Sequence, residues 1–68
     1  MTQGEFIRIR RQELHLTQQA LGEMCGYEGR SAGATVQKWE HDLQPVPLNR
    51  LRVLAKALQV PLDSPLIP

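Results

Sequence analysis

Few side chains in this 68-residue chain are placed to do covalent or metal chemistry. Cys25 is the only thiol, so the chain offers no disulfide partner and no second sulfur for a zinc site. His15 and His41 stand apart, without the spacing that brings two imidazoles to one metal. No serine or cysteine is patterned with a base, no glycine-rich loop is spaced to cradle phosphate, and the seven carboxylates are scattered. A chain of this length is also too small to enclose a substrate pocket. An enzyme is therefore not expected, and no cofactor or metal is implied. Cys25, one turn after Leu21, reads as buried packing rather than a redox centre.

The remaining chemistry is hydrogen bonding and charge. The net charge is only +1, but it is unevenly spread. Residues 1–16 carry three arginines against two glutamates. Residues 17–43 carry Arg30 and Lys38 against Glu23, Glu28, Glu40 and Asp42. Residues 44–60 carry Arg50, Arg52 and Lys56 with no acid at all. A polyanionic partner would have to be held mainly by the last block and by backbone amides, leaving the middle to read shape and hydrogen-bonding pattern.

Those groups must be positioned by helices, because the apolar residues recur at helical spacing and nowhere alternate as in a strand. A first helix is predicted over about 4–14, with Ile7 and Leu14 two turns apart, Arg11 between them, and Phe6 and Ile9 alongside. His15 marks its end. Thr17 can cap a second helix over 18–25, with Leu16 at the staple position before it and Gly26 stopping it in a left-handed conformation. The small-residue run 27–34 predicts a turn into a third helix over 32–40, with Ser31 as its cap and Val36, Trp39 and Glu40 in its body. The spacing of Trp39 from Val36 makes it a core residue. After a loop with Pro45 and Pro47, a fourth helix over 48–58 carries the buried stripe Leu51, Leu54, Ala55 and Leu58. The tail 60–68 holds three prolines and has room for no more than a turn of helix. No apolar run reaches membrane-spanning length, the N-terminus lacks the order of a signal peptide, and a single thiol suits a reducing compartment. A single small cytoplasmic domain is expected.

Taken in order, Gly4, Ile7, Arg11, Leu14, Leu16-Thr17-Gln18-Gln19, Leu21-Gly22, Cys25-Gly26, Val36, Trp39-Glu40, Pro47, Leu51, Leu54-Ala55 and Ala57-Leu58 resemble the phage-repressor and Cro-like helix-turn-helix family. These are the lambda-repressor-like, XRE-type DNA-binding domains, and the resemblance covers nearly the whole chain. It implies an all-α, compact four- to five-helix domain whose second and third helices form the reading unit, the third lying in the major groove. It also implies that Gly22 stands where a small residue lets helices two and three cross closely, and that Arg11 pairs with Glu40 to fix the reading unit on its scaffold. This chain departs from many relatives in two respects: ten positions separate Gly26 from Val36, several more than usual, so groove-entering residues can begin as early as Arg30, and a proline-laced tail stands where relatives often carry a fifth helix that supports dimerisation.

On that resemblance the DNA contacts are expected from Gln18 and Gln19 at the start of helix two, and from Arg30, Ser31, Thr35, Gln37 and Lys38 on helix three. Glutamine can bond adenine in two places, and arginine or lysine can address guanine. Gly33 and Ala34, with Ala32, would let backbone approach the bases, unless they simply form a turn. Asn49 and Arg50 would anchor phosphate at the start of helix four. The implied function is a sequence-specific transcriptional regulator, a repressor or autoregulator, acting on double-stranded DNA as a homodimer at a palindromic operator. The tail residues Val60, Leu62, Leu66 and Ile67 either join that dimer contact or fold back over Phe6 and Ile9. The acidic balance of the reading unit leaves open a second reading, a module of the same fold that binds another protein and touches DNA only weakly.

Overall fold

The computed structural model describes residues 1–61, and within them the chain forms four helices, all packed around one core. α1 spans Gln3–Glu13, α2 Gln18–Met24, α3 Arg30–Glu40 and α4 Leu48–Ala57. The tail contact expected of Leu62, Leu66 and Ile67 lies outside the described residues.

The helix starts are built in different ways. α1 has a reciprocal capping box: the Thr2 hydroxyl accepts from the Glu5 amide at 3.1 Å, and the Glu5 carboxylate accepts from the Thr2 amide at 3.2 Å. α2 is capped as expected, the Thr17 hydroxyl accepting from the Ala20 amide at 3.0 Å. α4 follows Pro47, whose fixed φ suits a helix entry. α3 has no cap from its own N-cap residue, and Ser31 is not that residue. The helix begins two residues earlier than expected, at Arg30, behind Gly29. Gly29 has φ +62° and ψ −153°, a conformation closed to side-chain-bearing residues, and that is why the helix can start there. Ser31 lies inside the first turn and donates its hydroxyl to the Glu28 carbonyl at 2.6 Å.

All four helices end in the same way, and only one uses glycine to do so. His15, Gly26, Asp42 and Gln59 have positive φ, each just beyond a helix. The following amides of Leu16, Tyr27, Leu43 and Val60 reach back to the carbonyls of Arg11, Gly22, Lys38 and Ala55 at 2.9–3.1 Å. These are Schellman closures, and they satisfy carbonyls the helices would otherwise leave bare.

The core is made of Ile7, Leu21, Cys25, Val36, Trp39, Leu51, Leu54 and Leu58, all buried. Trp39 packs edge-on against Tyr27, ring centroids 5.8 Å apart. Ile9, expected beside Ile7, instead turns outward and is exposed, because only one face of α1 meets the bundle. Three arginines bond backbone carbonyls at helix ends or in the turn between α1 and α2. Arg10 Nε donates to the Leu58 carbonyl at the end of α4 (2.8 Å), Arg11 Nη1 to the Leu16 carbonyl (2.9 Å) and Arg50 Nη1 to the Cys25 carbonyl at the end of α2 (3.0 Å). A cation at a helix C-terminus also meets the negative end of its dipole.

Candidate nucleic-acid interface

The last turn of α3 is held by a charge network. Arg11 presents its guanidinium fork to Glu40: Nε donates to Oε2 at 2.6 Å and Nη2 to Oε1 at 3.2 Å. Gln18 Nε2 adds a third donor to Oε1 at 3.1 Å. The Glu40 side chain is 2% exposed and that of Arg11 13%, so the pair is nearly desolvated. Both carboxylate oxygens are satisfied, which is the condition under which a buried charge can be tolerated. Gln18, expected at DNA, therefore spends an amide proton on this network.

At the other end, α3 crosses α2 at contact distance. Gly22 and Ala32 are both buried there, and a methyl group built on Gly22 would penetrate the Ala32 backbone. Glycine is required at this crossing for close approach, not for any unusual dihedral. Ala32 is thus core, not part of a groove-facing surface. Gln19, the second glutamine expected at DNA, is engaged at both ends of its carboxamide. Its Nε2 donates to the Gly29 carbonyl (2.8 Å) and to Glu23 Oε2 (3.1 Å), and its Oε1 accepts from the Gly33 amide (3.2 Å). Gly33, half-buried, faces Gln19 rather than open solvent.

What α3 turns outward is a different set. Ala32, Val36, Trp39 and Glu40 are buried, whereas Arg30, Ser31, Ala34, Gln37 and Lys38 are exposed and Thr35 is half-buried. Positions 30, 34, 37 and 38 follow helical spacing, so they form one continuous face. Asn49 is exposed at the start of α4 beside the exposed Leu48. Arg50 is half-buried: its guanidinium lies 4.8 Å from the centre of the Tyr27 ring while bonding the Cys25 carbonyl. It ties the turn between α2 and α3 to α4, and part of its donor fork remains for an outside acceptor. Burial pushes the Cys25 thiol up to about 11, Arg50 opposing the rise. Sequence reasoning did not single out Glu23 or Tyr27 for roles in holding this unit. The i, i+4 spacing of Gln19 and Glu23 was the available signal for the first; nothing in the sequence placed Arg50 over Tyr27.

Two short helices crossing at a glycine, the second presenting a polar face and locked at its end by a buried Arg–Glu pair, make up a helix-turn-helix unit. The helix-turn-helix family matches residues 7–64, and the chain belongs to it, in its lambda-repressor-like, XRE-type branch. Among solved structures it is similar to the P22 c2 repressor, determined in complex with a synthetic operator in the presence of Tl+. The two are 34% identical with a TM-score of 0.85, covering 98% of this chain and 96% of the other. A comparison with curated proteins gave no match. Among the described residues no helix is long and apolar enough to cross a membrane.

Proposed function

We propose that this protein is a sequence-specific, DNA-binding transcriptional regulator, a repressor or autoregulator, which binds a palindromic operator as a homodimer. The observation that carries the reading is the outward face of α3. Arg30, Gln37 and Lys38 are exposed there, with no side-chain hydrogen bond to another described residue, while the buried side of the same helix is locked from α1 and α2. The near full-length likeness to a repressor solved on operator DNA supports the same reading. Side chains left unpaired on a rigid helix are available for base edges, and Ala34 between them allows close approach.

In this reading Gln37 and Lys38 read bases, Arg30, Ser31 and Thr35 meet the groove wall, and Asn49 and Arg50 hold phosphate. Gln18 and Gln19 serve from behind, as supports of α3. Pairing with Arg11 withdraws Glu40 from the surface, which cuts the acidic excess of residues 17–43 from two to one. Reading a site long enough to be selective needs two such helices about 34 Å apart, hence the dimer and the palindrome.

The test begins with duplexes selected by the protein from a randomised pool. Gln37→Ala and Lys38→Ala are expected to change affinity unevenly across variants of the selected site, each lost bidentate contact being worth roughly 1–3 kcal/mol of discrimination. Asn49→Ala and Arg50→Ala are expected to weaken all duplexes alike, with a shallower salt dependence for Arg50→Ala. Equal losses on selected and scrambled duplexes for the α3 variants would remove the base-reading assignment. A chain that sediments as a monomer even on its selected duplex would end the dimer.

A further inference from the structure

α3 starts with an irregularity that its three companions lack. In α1, α2 and α4 the carbonyl of the N-cap residue accepts from the amide four residues on: Thr2 from Phe6, Thr17 from Leu21 and Pro47 from Leu51, at 3.0–3.2 Å. The corresponding pair in α3 is Gly29 and Gly33. Here the Gly33 amide donates to Gln19 Oε1 at 3.2 Å, and the Gly29 carbonyl accepts from Gln19 Nε2 at 2.8 Å and from the Ala32 amide at 3.2 Å. A side chain from α2 is spliced into the first rung of the α3 ladder.

A carboxamide fits this position because it offers a donor and an acceptor side by side, as a peptide group does. Its orientation is fixed by the partners: two acceptors, the Gly29 carbonyl and Glu23, face its nitrogen, and one donor, the Gly33 amide, faces its oxygen. Glycine at position 33 provides the room, since an added methyl group would lie 3.1 Å from Gln19 Oε1. The splice also supplies a cap to a helix whose own N-cap residue has no side chain. Without it the capping hydrogen bonds of the first turn of α3 would be those of the Ala32 amide to Gly29 and of Ser31 to Glu28, beside the packing of Ala32 on Gly22.

We infer that Gln19 is a positioning residue for DNA reading: its carboxamide holds the first turn of α3, and with it Arg30 and Ser31, in register with Gln37 and Lys38. This rests on the DNA-binding reading given above. Gln19 touches no base; it acts through α3.

Amide hydrogen exchange in the full chain, without DNA, tests the splice. Gln19→Met keeps the bulk and removes both bonds of the splice together with the one to Glu23. It is expected to speed exchange of the Gly33 amide about five- to tenfold, the worth of one net hydrogen bond, with the Val36 and Trp39 amides unchanged. Gln19→Glu discriminates further. An anion beside a helix N-terminus ordinarily stabilises the helix. Here the carboxylate would face the Gly29 carbonyl and Glu23, so Gly33 is expected to exchange at least as fast as in Gln19→Met. Unchanged Gly33 exchange in Gln19→Met, or Glu protecting as well as Gln, overturns the splice.

The second arm uses the duplex selected by the wild-type chain and a scrambled duplex. Gln19→Met is expected to lose about tenfold in the ratio of the two affinities while the scrambled affinity stays within about twofold, because non-specific binding rests on phosphate contacts. Altered exchange with full discrimination retained overturns the positioning role and leaves the splice as local structure. A wild-type chain that prefers no duplex fails the DNA reading itself, visible before any variant is made, and ends the role of Gln19 in reading with it.

Discussion

The two ends of α3 are secured by different physics. The C-terminal end is held by opposite charges taken almost out of water, Arg11 and Glu40, with Gln18 completing the carboxylate's partners. The N-terminal end is held by neutral groups: the buried Gly22–Ala32 crossing and, nearer the surface, the Gln19 carboxamide and the Ser31 hydroxyl. The first kind of anchor is costly to break because it strands a charge; the second is adjustable in small steps. A helix fixed at its exit and tunable at its entry lets its outward-facing residues vary without endangering the fold.

Breaking the charged end should have the largest effect. Glu40→Ala leaves the Arg11 guanidinium buried with only the Leu16 carbonyl, and is expected to cost about 3–5 kcal/mol, enough to unfold a domain of this size. Replacing both partners, Arg11→Met with Glu40→Leu, removes the stranded charge and is expected to recover much of that loss. Urea melts of the two single variants and the double variant measure the coupling, and strict additivity would mean that the charges do not interact.

Next comes the crossing. Gly22→Ala forces α2 and α3 apart at Ala32, and overpacking of this kind costs about 1–3 kcal/mol. A thermal melt unchanged from wild type would show that the neutral end has slack the packing does not suggest.

The turn between the two helices can be probed by pH. The Cys25 thiol is raised from 9.0 to about 11 by burial. In the unfolded chain it ionises first, so the native state binds more protons across this range and stability falls as pH rises from about 9 to about 11. Each tenfold difference in proton affinity between the two states corresponds to about 1.4 kcal/mol, which puts the full loss on the order of 3 kcal/mol. Denaturant melts across that window should show the fall, and Cys25→Ala should flatten it despite its lower starting stability. A thiol that reacts with a disulfide reagent as fast as free cysteine in the native protein would contradict the burial.

The smallest effect belongs to the entry surface. Ser31→Ala removes one exposed hydrogen bond and is expected to change stability by less than about 0.5 kcal/mol. A loss comparable to that of Glu40→Ala would erase the contrast between the two ends.

Much of the fold is readable from residue order. Helical spacing places Ile7, Val36, Trp39, Leu54 and Leu58 in the core, because period-3.6 burial depends on which face a helix must hide. Thr17 and Gly26 mark the limits of α2 because capping and left-handed closure are local chemistry. The Thr2–Glu5 box is equally local, and the spacing of the two residues carried its signal. The start of α3 is misplaced by the sequence for a physical reason. Ser31 has the chemistry of a cap, but Gly29 adopts a conformation that only a glycine tolerates, and a carboxamide ten positions upstream does the capping. Three of the four helix closures use His15, Asp42 and Gln59 in place of glycine; His and Asp tolerate a positive φ better than most side-chain-bearing residues, but far less often than glycine does, so the signal is weak.

Residue order alone was enough for four helices, their buried faces and the family to which they belong, since these follow from short-range pattern and residue size. Apart from the Arg11–Glu40 pair, which the family resemblance implied, what each polar group faces was settled only by the way the helices pack. Arg10, Arg11 and Arg50 close helix ends and a buried carboxylate, Gln18 and Gln19 brace α3, and Arg30, Gln37 and Lys38 are left outward. A polar side chain's partner is set by distances across the fold, between residues as far apart in the chain as Arg10 and Leu58, and no local pattern encodes them.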